Sequence, residues 1–591
     1  MLLTGPQEPI RLGKSSSHCH GSLLAYGPEE VAQRISLAFD KTSSVDVVVG
    51  ALGGRESVLT VGTEDTASNS AVPVSTVWFA GSDPESFARF GLCVWVCSNN
   101  SLYPERRVIR VAVAGNRTIE ALGYAVWGIA CALRGAYDEA LPCFRKVYAA
   151  TVDANRTAPG YLLWWLGLVQ LSIAQNSGSK SQYESAEGLL RDALRSISEC
   201  EDEIATVNLL RALGRTYLQR PSAKPFDCCR IALEYLSDAE RALDKARFPI
   251  EWAHVLYDRA SIRLYIPRGR DNQALELARL DIQAALSHFD AIRFPFEYAQ
   301  CMNAMGQMML RSAGRRLPEL SQAYIHLEKA LVVRRKDSLP WHYAQTKHNM
   351  GIVLSMMAEA EKEGRNTLLR AIECFREAIS VFEKRRYPYR YYQSLSALGR
   401  AYAAMGVDDT HSLDLARQCY TEILNSLSPA DAPYYYGRAL YDLGNLLTLE
   451  TSPFIDVMSA IKCFEHSLAI FSPEEFPYDR ALVLVAMATA MLQARNDVQV
   501  EYSQYARDPL GYFTEALDVF KRGKFVYEAA CVHACLGSLL LTVSEPVIGE
   551  LTWRAQWHYR QACTIFSTEG CERERDLMQA YLTSITREKP G

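Results

Sequence analysis

Through most of the chain, apolar residues recur at spacings of three and four, as one face of an α-helix requires. In "AIECFREAISVF", Ala371, Phe375 and Ala378 fall on one side, while Glu373, Arg376 and Glu377 fall on the other. "AYIHLEKALVV", "AIKCFEHSLAIF" and "YFTEALDVF" have the same texture. A second kind of helix precedes each of these. It is opened by Pro249, Pro295, Pro340, Pro388, Pro433 or Pro477, with a glycine or alanine eleven residues on. Proline suits the first helical position, where its missing N–H costs nothing. Four residues after the proline stand Ala253, Ala299, Ala344 and Ala481, with Tyr392 and Gly437 as variants. Positions four and eleven are seven apart and share a face, so small side chains there admit a neighbouring helix.

The small residue marks a period. Gly128, Gly167, Gly214, Ala260, Gly306, Gly351, Gly399, Gly444, Ala488 and Gly537 follow one another at intervals of 39, 47, 46, 46, 45, 48, 45, 44 and 49 residues. A fixed period in this range signals a solenoid, in which each helix pair buries its apolar face on its neighbours. The segment "ERERDLMQAYLTSI", after Cys571, reads as a terminal helix covering the last pair.

The order small residue, alanine, aromatic, alanine, proline (Gly351, Ala371, Phe375, Ala378 and Pro388) resembles the tetratricopeptide repeat, or TPR. The units are longer than the roughly 34 residues of that family, with the excess in loops such as "AEKEGRNTL". The resemblance implies a mainly α protein, a right-handed TPR-like α-solenoid of about ten helix pairs over residues 117–570, with a cap and tail at 571–591. It also implies an inner surface lined by the first helix of each pair, at positions three before and one after the small residue. These positions include Arg211, Asn303, Gln307, His348, Ser396, Arg400, Tyr441 and Asn445, the candidate partner-binding groove. No lysine stands at a three-before position among them, so the carboxylate clamp of chaperone-binding members is not expected.

The first hundred residues have a different texture. Residues 1–27, rich in Ser, Gly, Pro and His, are expected to form a flexible tail. "PEEVAQRISLAFDKT" reads as a helix, and "VDVVVGAL", "ESVLTVGT", "STVWFAG", "GLCVWVCS" and "RRVIRVAVAG" as short strands between turns. Residues 28–115 are therefore expected to form a small α+β domain with an antiparallel sheet of about five strands.

Composition narrows the function. A balance of 63 basic against 68 acidic residues argues against a phosphate-neutralising surface, so no direct nucleic-acid partner is expected. No apolar run is long enough to span a membrane. With no secretory leader in "MLLTGPQEPIRLGK", the sixteen cysteines are expected as free thiols in a cytosolic protein. His18, Cys19 and His20 are adjacent and lack a second cluster to close a metal site, while Cys531, His533 and Cys535 read as helix packing. Cys93 and Cys97 lie four apart on a strand, unlike a redox CxxC. No GxSxG, HExxH or P-loop pattern occurs, so neither enzyme activity nor a metal or cofactor is expected. The reading is a scaffold that binds an extended peptide or helix of a protein partner, in a cytosolic or cytoskeletal complex. The alternative is a regulatory module whose N-terminal domain binds a ligand or carries an activity of its own.

Overall fold

The computed structural model describes residues 137–152, 160–177, 180–198 and 203–587, the last interrupted within loops, together with six strand segments between residues 10 and 110. Among the described residues there are twenty helices, beginning with Tyr137–Val152 and ending with Glu572–Arg587. No described helix is long and apolar enough to cross a membrane.

The strands form two three-stranded sheets. In the first, Ile10–Arg11 pairs antiparallel with Leu24–Tyr26, which pairs parallel with Val48–Gly50. In the second, Val58–Thr63 pairs antiparallel with Val74–Ala80, which pairs parallel with Val108–Arg110. The pairing is mixed where a meander was expected, because a parallel partner requires the chain to cross over instead of turning back. The strand expected at "GLCVWVCS" and the helix expected from Pro28 lie outside the described residues.

From Tyr137 onward the chain is a TPR-like α-solenoid. Nine complete pairs run from Gly160–Ser177 with Lys180–Ser198 to Val526–Val543 with Glu550–Thr568. Tyr137–Val152 is the second helix of a unit whose Gly128 lies outside the described residues. The prolines stand where expected: Pro249, Pro340, Pro388 and Pro433 occupy the first turn of their helices.

The small residue is a seat. A Cβ added at Gly351 would come within 2.6 Å of Phe375, at Gly399 within 2.6 Å of Tyr420, and at Gly444 within 2.5 Å of Phe464. Gly306 receives Leu327 in the same way, at 2.7 Å. The seated residue stands between two small ones on its own helix, as Phe375 does between Ala371 and Ala378, and all three are buried. Glu373 and Arg376 face solvent, as the periodicity predicts. At position four, Ala253, Ala299, Ala344 and Ala481 are fully buried.

First helices of successive units also touch each other, as Pro249–Tyr265 touches both Glu203–Gln219 and Pro295–Ser312. Second helices make their principal contacts with first helices. The closer-set row forms the inside of the curve, so the first helices line the concave face. At the C-terminus Cys571, Met578 and Ile585 join the core of the last pair, and Tyr581 stacks on Tyr559 at 5.4 Å.

Gly351→Ala tests the seat. In an ordinary helix interior this change stabilises by about 1 kcal/mol. Here the methyl group must displace Phe375, so a loss of roughly 1–3 kcal/mol and a lower thermal midpoint are expected. Adding Phe375→Leu to the same chain should recover part of the loss. An unchanged or raised midpoint for Gly351→Ala would refute the close approach.

Candidate partner-binding groove

In four units the residue three before the small residue of the first helix is polar and tied to the next unit. Arg211 Nε donates to Asp258 Oδ2 at 2.7 Å. Asn303 Oδ1 accepts from Thr346 Oγ1 at 3.0 Å and from Asn349 Nδ2 at 3.2 Å. His348 Nδ1 lies 3.0 Å from Ser394 Oγ, and Ser396 Oγ donates to Asp442 Oδ2 at 3.1 Å. Counted from the small residue of its own unit, the partner stands two before (Asp258, Asn349, Asp442) or five before (Thr346, Ser394). The rungs form a polar seam along the inner row. Arg334, at the end of a second helix and fully buried, donates to Thr346 at 2.9 Å and so joins it.

The eight expected groove residues therefore divide into two groups. Arg211, Asn303, His348 and Ser396 are buried and bonded to the next unit. Gln307, Arg400, Tyr441 and Asn445 are partly exposed. Arg400 reaches Asp442 at 3.1 Å from the side facing the groove, and Tyr441 lies under Arg438, whose guanidinium is 4.9 Å from the ring centre. Tyrosines missed by the sequence reading add to this surface. Tyr434 and Tyr265 are 39% and 38% exposed, and Tyr435 stacks on Tyr389 at 6.0 Å. For three of them the signal was position: Tyr389 and Tyr434 directly follow the helix-opening proline, and Tyr435 comes next.

Contacts between distant units narrow the lumen. Arg390 donates to the Tyr265 hydroxyl at 2.8 Å across 125 residues of sequence, and Phe226 N–H donates to Glu475 at 3.2 Å across 249. Arg268 lies over the ring of Tyr478 at 4.8 Å. Successive turns of the coil thus rest on each other.

Charge along the seam is strongly shaped by burial. Burial alone would push the Asp258 carboxyl up, but Arg211 and Arg215 hold it below its ordinary range. Burial pushes His348 down to about 3, with Arg390 and Arg400 adding to the effect, so it is neutral at any physiological pH. Burial raises Glu297 to about 7, and Arg211 pulls the other way too weakly to restore it. Cys531 and Cys535 pack among the helices of the last units, and His533 Nδ1 lies 2.8 Å from His558 Nδ1. No group of three metal-ligating side chains occurs among the described residues. His18, Cys19, His20, Cys93 and Cys97 lie outside them.

Two stability measurements probe this surface. Asp258→Asn leaves the buried Arg211 without its counter-charge and should cost about 3–5 kcal/mol, the scale for breaking a buried ion pair from one side. The same change at the exposed Asp518 should leave the thermal midpoint where it was. Glu297 predicts a pH dependence. Below its ordinary value the carboxyl is protonated in both folded and unfolded chains, and stability is full. As the pH climbs to about 7 the buried group disfavours ionisation and stability is lost. Glu297→Gln should therefore stabilise by roughly 1–3 kcal/mol at pH 8 and not at all at pH 4.5. A difference independent of pH would refute the assignment.

No family model matches the chain, and no curated protein matches it. Solved structures similar to it include the human IFIT1 dimer with m7Gppp-AAAA, at 14% identity and a TM-score of 0.43, covering 76% of this chain and 82% of that one. A Rap protein complexed with competence and sporulation factor shows 14% identity and a TM-score of 0.42, covering 68% of this chain and 99% of that one. The apo form of the quorum sensor NprR from B. thuringiensis shows 13% identity and a TM-score of 0.38, covering 66% and 99%. The assignment of the described chain as a TPR-like α-solenoid stands on its own helix pairs, their seated small residues and the seam that joins them.

Proposed function

We propose that this protein is a non-catalytic adaptor that holds an extended segment or a helix of a partner protein along the concave face of its solenoid. The observation that carries this reading is the division of labour on the inner row. The seam residues bind unit to unit, while Arg215, Arg400, Tyr434 and Tyr441 present a further layer of hydrogen-bonding and aromatic groups to the lumen. A surface repeated over several units suits a ligand that crosses several units. Tyrosine and arginine are also the residue types that dominate protein-binding energetics. The adaptor works within a larger cytosolic complex, with neither nucleic acid nor a cofactor as its ligand. The alternative is a regulatory module whose N-terminal domain, residues 28–115, binds a ligand or carries an activity of its own.

The test is capture of partners from the source cells with the full chain and with the triple variant Arg215→Ala, Arg400→Ala, Tyr434→Ala. Each single change should cost at most about 1 kcal/mol in binding, apart from a larger share at Tyr434 if its ring is an anchor. The triple change should abolish capture while the helical signal and thermal midpoint are retained. Capture that survives the triple change and is lost when residues 28–115 are deleted would place recognition in the N-terminal region and reduce the solenoid to a spacer.

A further inference from the structure

We infer that the partner segment held in this groove is acidic, and that the exposed arginines of two Arg–Asp–Arg clusters read it. The inference rests on the adaptor reading above. In the first cluster the Asp258 carboxylate takes Arg211 Nε at 2.7 Å and Arg215 Nη2 at 2.9 Å. In the second, the Asp442 carboxylate takes Arg400 Nη1 at 3.1 Å and Arg438 Nε at 3.3 Å. The first cluster sets two guanidiniums against one carboxylate and keeps one positive charge. In the second, Arg438 also reaches Asp479 at 3.5 Å, so that Arg400 offers its unused N–H donors and no surplus charge.

Burial decides which member of the cluster a ligand meets. The Asp258 and Asp442 side chains are 5% and 2% exposed, whereas those of Arg215 and Arg400 are 42% and 40% exposed. Both exposed arginines stand directly after the small residue of their unit, Gly214 and Gly399, so an exposed guanidinium returns in the same register four units later. Neither fork is used up. Arg400 bonds through Nη1 alone, to Ser396 and Asp442, and Arg215 bonds through Nε and Nη2. Arg400 thus keeps its Nε–Nη2 edge, which grips a carboxylate in a planar, bidentate fashion, while Arg215 keeps its Nη1 donors. Arg390 adds a third cation with no carboxylate in reach among the described residues, since its bonds go to Gln393 and Tyr265.

The same face favours discrete carboxylates over a phosphate backbone. Glu251, Glu297 and Asp479 lie on first helices of this row, and the whole chain carries a net charge of −5. A strand with one charge per nucleotide needs densely clustered cations. An acidic polypeptide can place its carboxylates where the arginines are and its other residues against the tyrosines.

The experiment is fluorescence anisotropy of the full chain with labelled poly-L-glutamate, with poly-L-lysine and oligoadenylate of equal length as comparators. Poly-L-glutamate should bind, more weakly as salt rises, and the double variant Arg215→Gln, Arg400→Gln should weaken binding about tenfold or more. Arg211 and Arg438 remain to neutralise the two aspartates, so the variant keeps one full pair at each cluster and is expected to fold. Arg215→Lys with Arg400→Lys, which keeps the charge and loses the fork, provides a second variant with an intermediate loss. Arg241→Gln on an outer helix should change nothing. Absent binding of poly-L-glutamate, binding indifferent to both double variants, or tighter binding of oligoadenylate would each overturn the inference. If the triple variant still loses its captured proteins while poly-L-glutamate fails to bind, the acidic preference falls and the adaptor reading stands.

Discussion

The contact on which the rest of this structure depends is a bulky side chain seated on a residue that has almost none. Phe375 on Gly351, Tyr420 on Gly399 and Phe464 on Gly444 each bring two helices closer than a Cβ would permit. Because the same seat recurs at nearly constant spacing, it sets the separation within each pair and the angle at which the next pair stacks. The core is therefore a chain of apolar clusters between helix layers, each shared by neighbouring units. Stability in such an array is local and cumulative.

The polar seam solves a second problem. First helices crowd along the inside of the curve, and their inner faces carry groups that cannot be buried unpaired. Bonding each to a partner one unit away satisfies most of these atoms, Arg211 Nη2 and His348 Nε2 being left without one, and ties successive units together. Where the partners are neutral, as at Asn303 and Asn349, the rung is purely structural. At Asp258 two arginines meet one acid, and at Asp442 two arginines share that acid and Asp479; in both the more exposed arginine, Arg215 or Arg400, keeps N–H donors that the acid does not use. The seam holds the coil and also decides what the lumen offers a ligand.

Contacts between turns set how open that lumen is. Arg390 on Tyr265 and Arg268 over Tyr478 join units that share no neighbour in the stack. A ligand that competes for the Tyr265 hydroxyl or the Arg390 fork would couple its binding to the pitch of the coil.

The sequence by itself determined the pairs. The glycine interval, the prolines and the Ala371–Phe375–Ala378 pattern are local signals, and a helical periodicity converts them directly into faces and neighbours. It also located the inner row, so all eight expected groove residues do lie on first helices. The tertiary structure decided which of them are buried in the seam and which are exposed. Whether His348 or Ser396 is open or bonded depends on Ser394 and Asp442, residues 46 positions further along that face them only once the units stack. The same holds for Tyr265 and Arg390, which meet across 125 residues of sequence. Periodicity specifies a helix face because that geometry repeats within a few residues. It cannot specify what a face touches across a unit or a turn, because that depends on small stacking rotations summed over many residues.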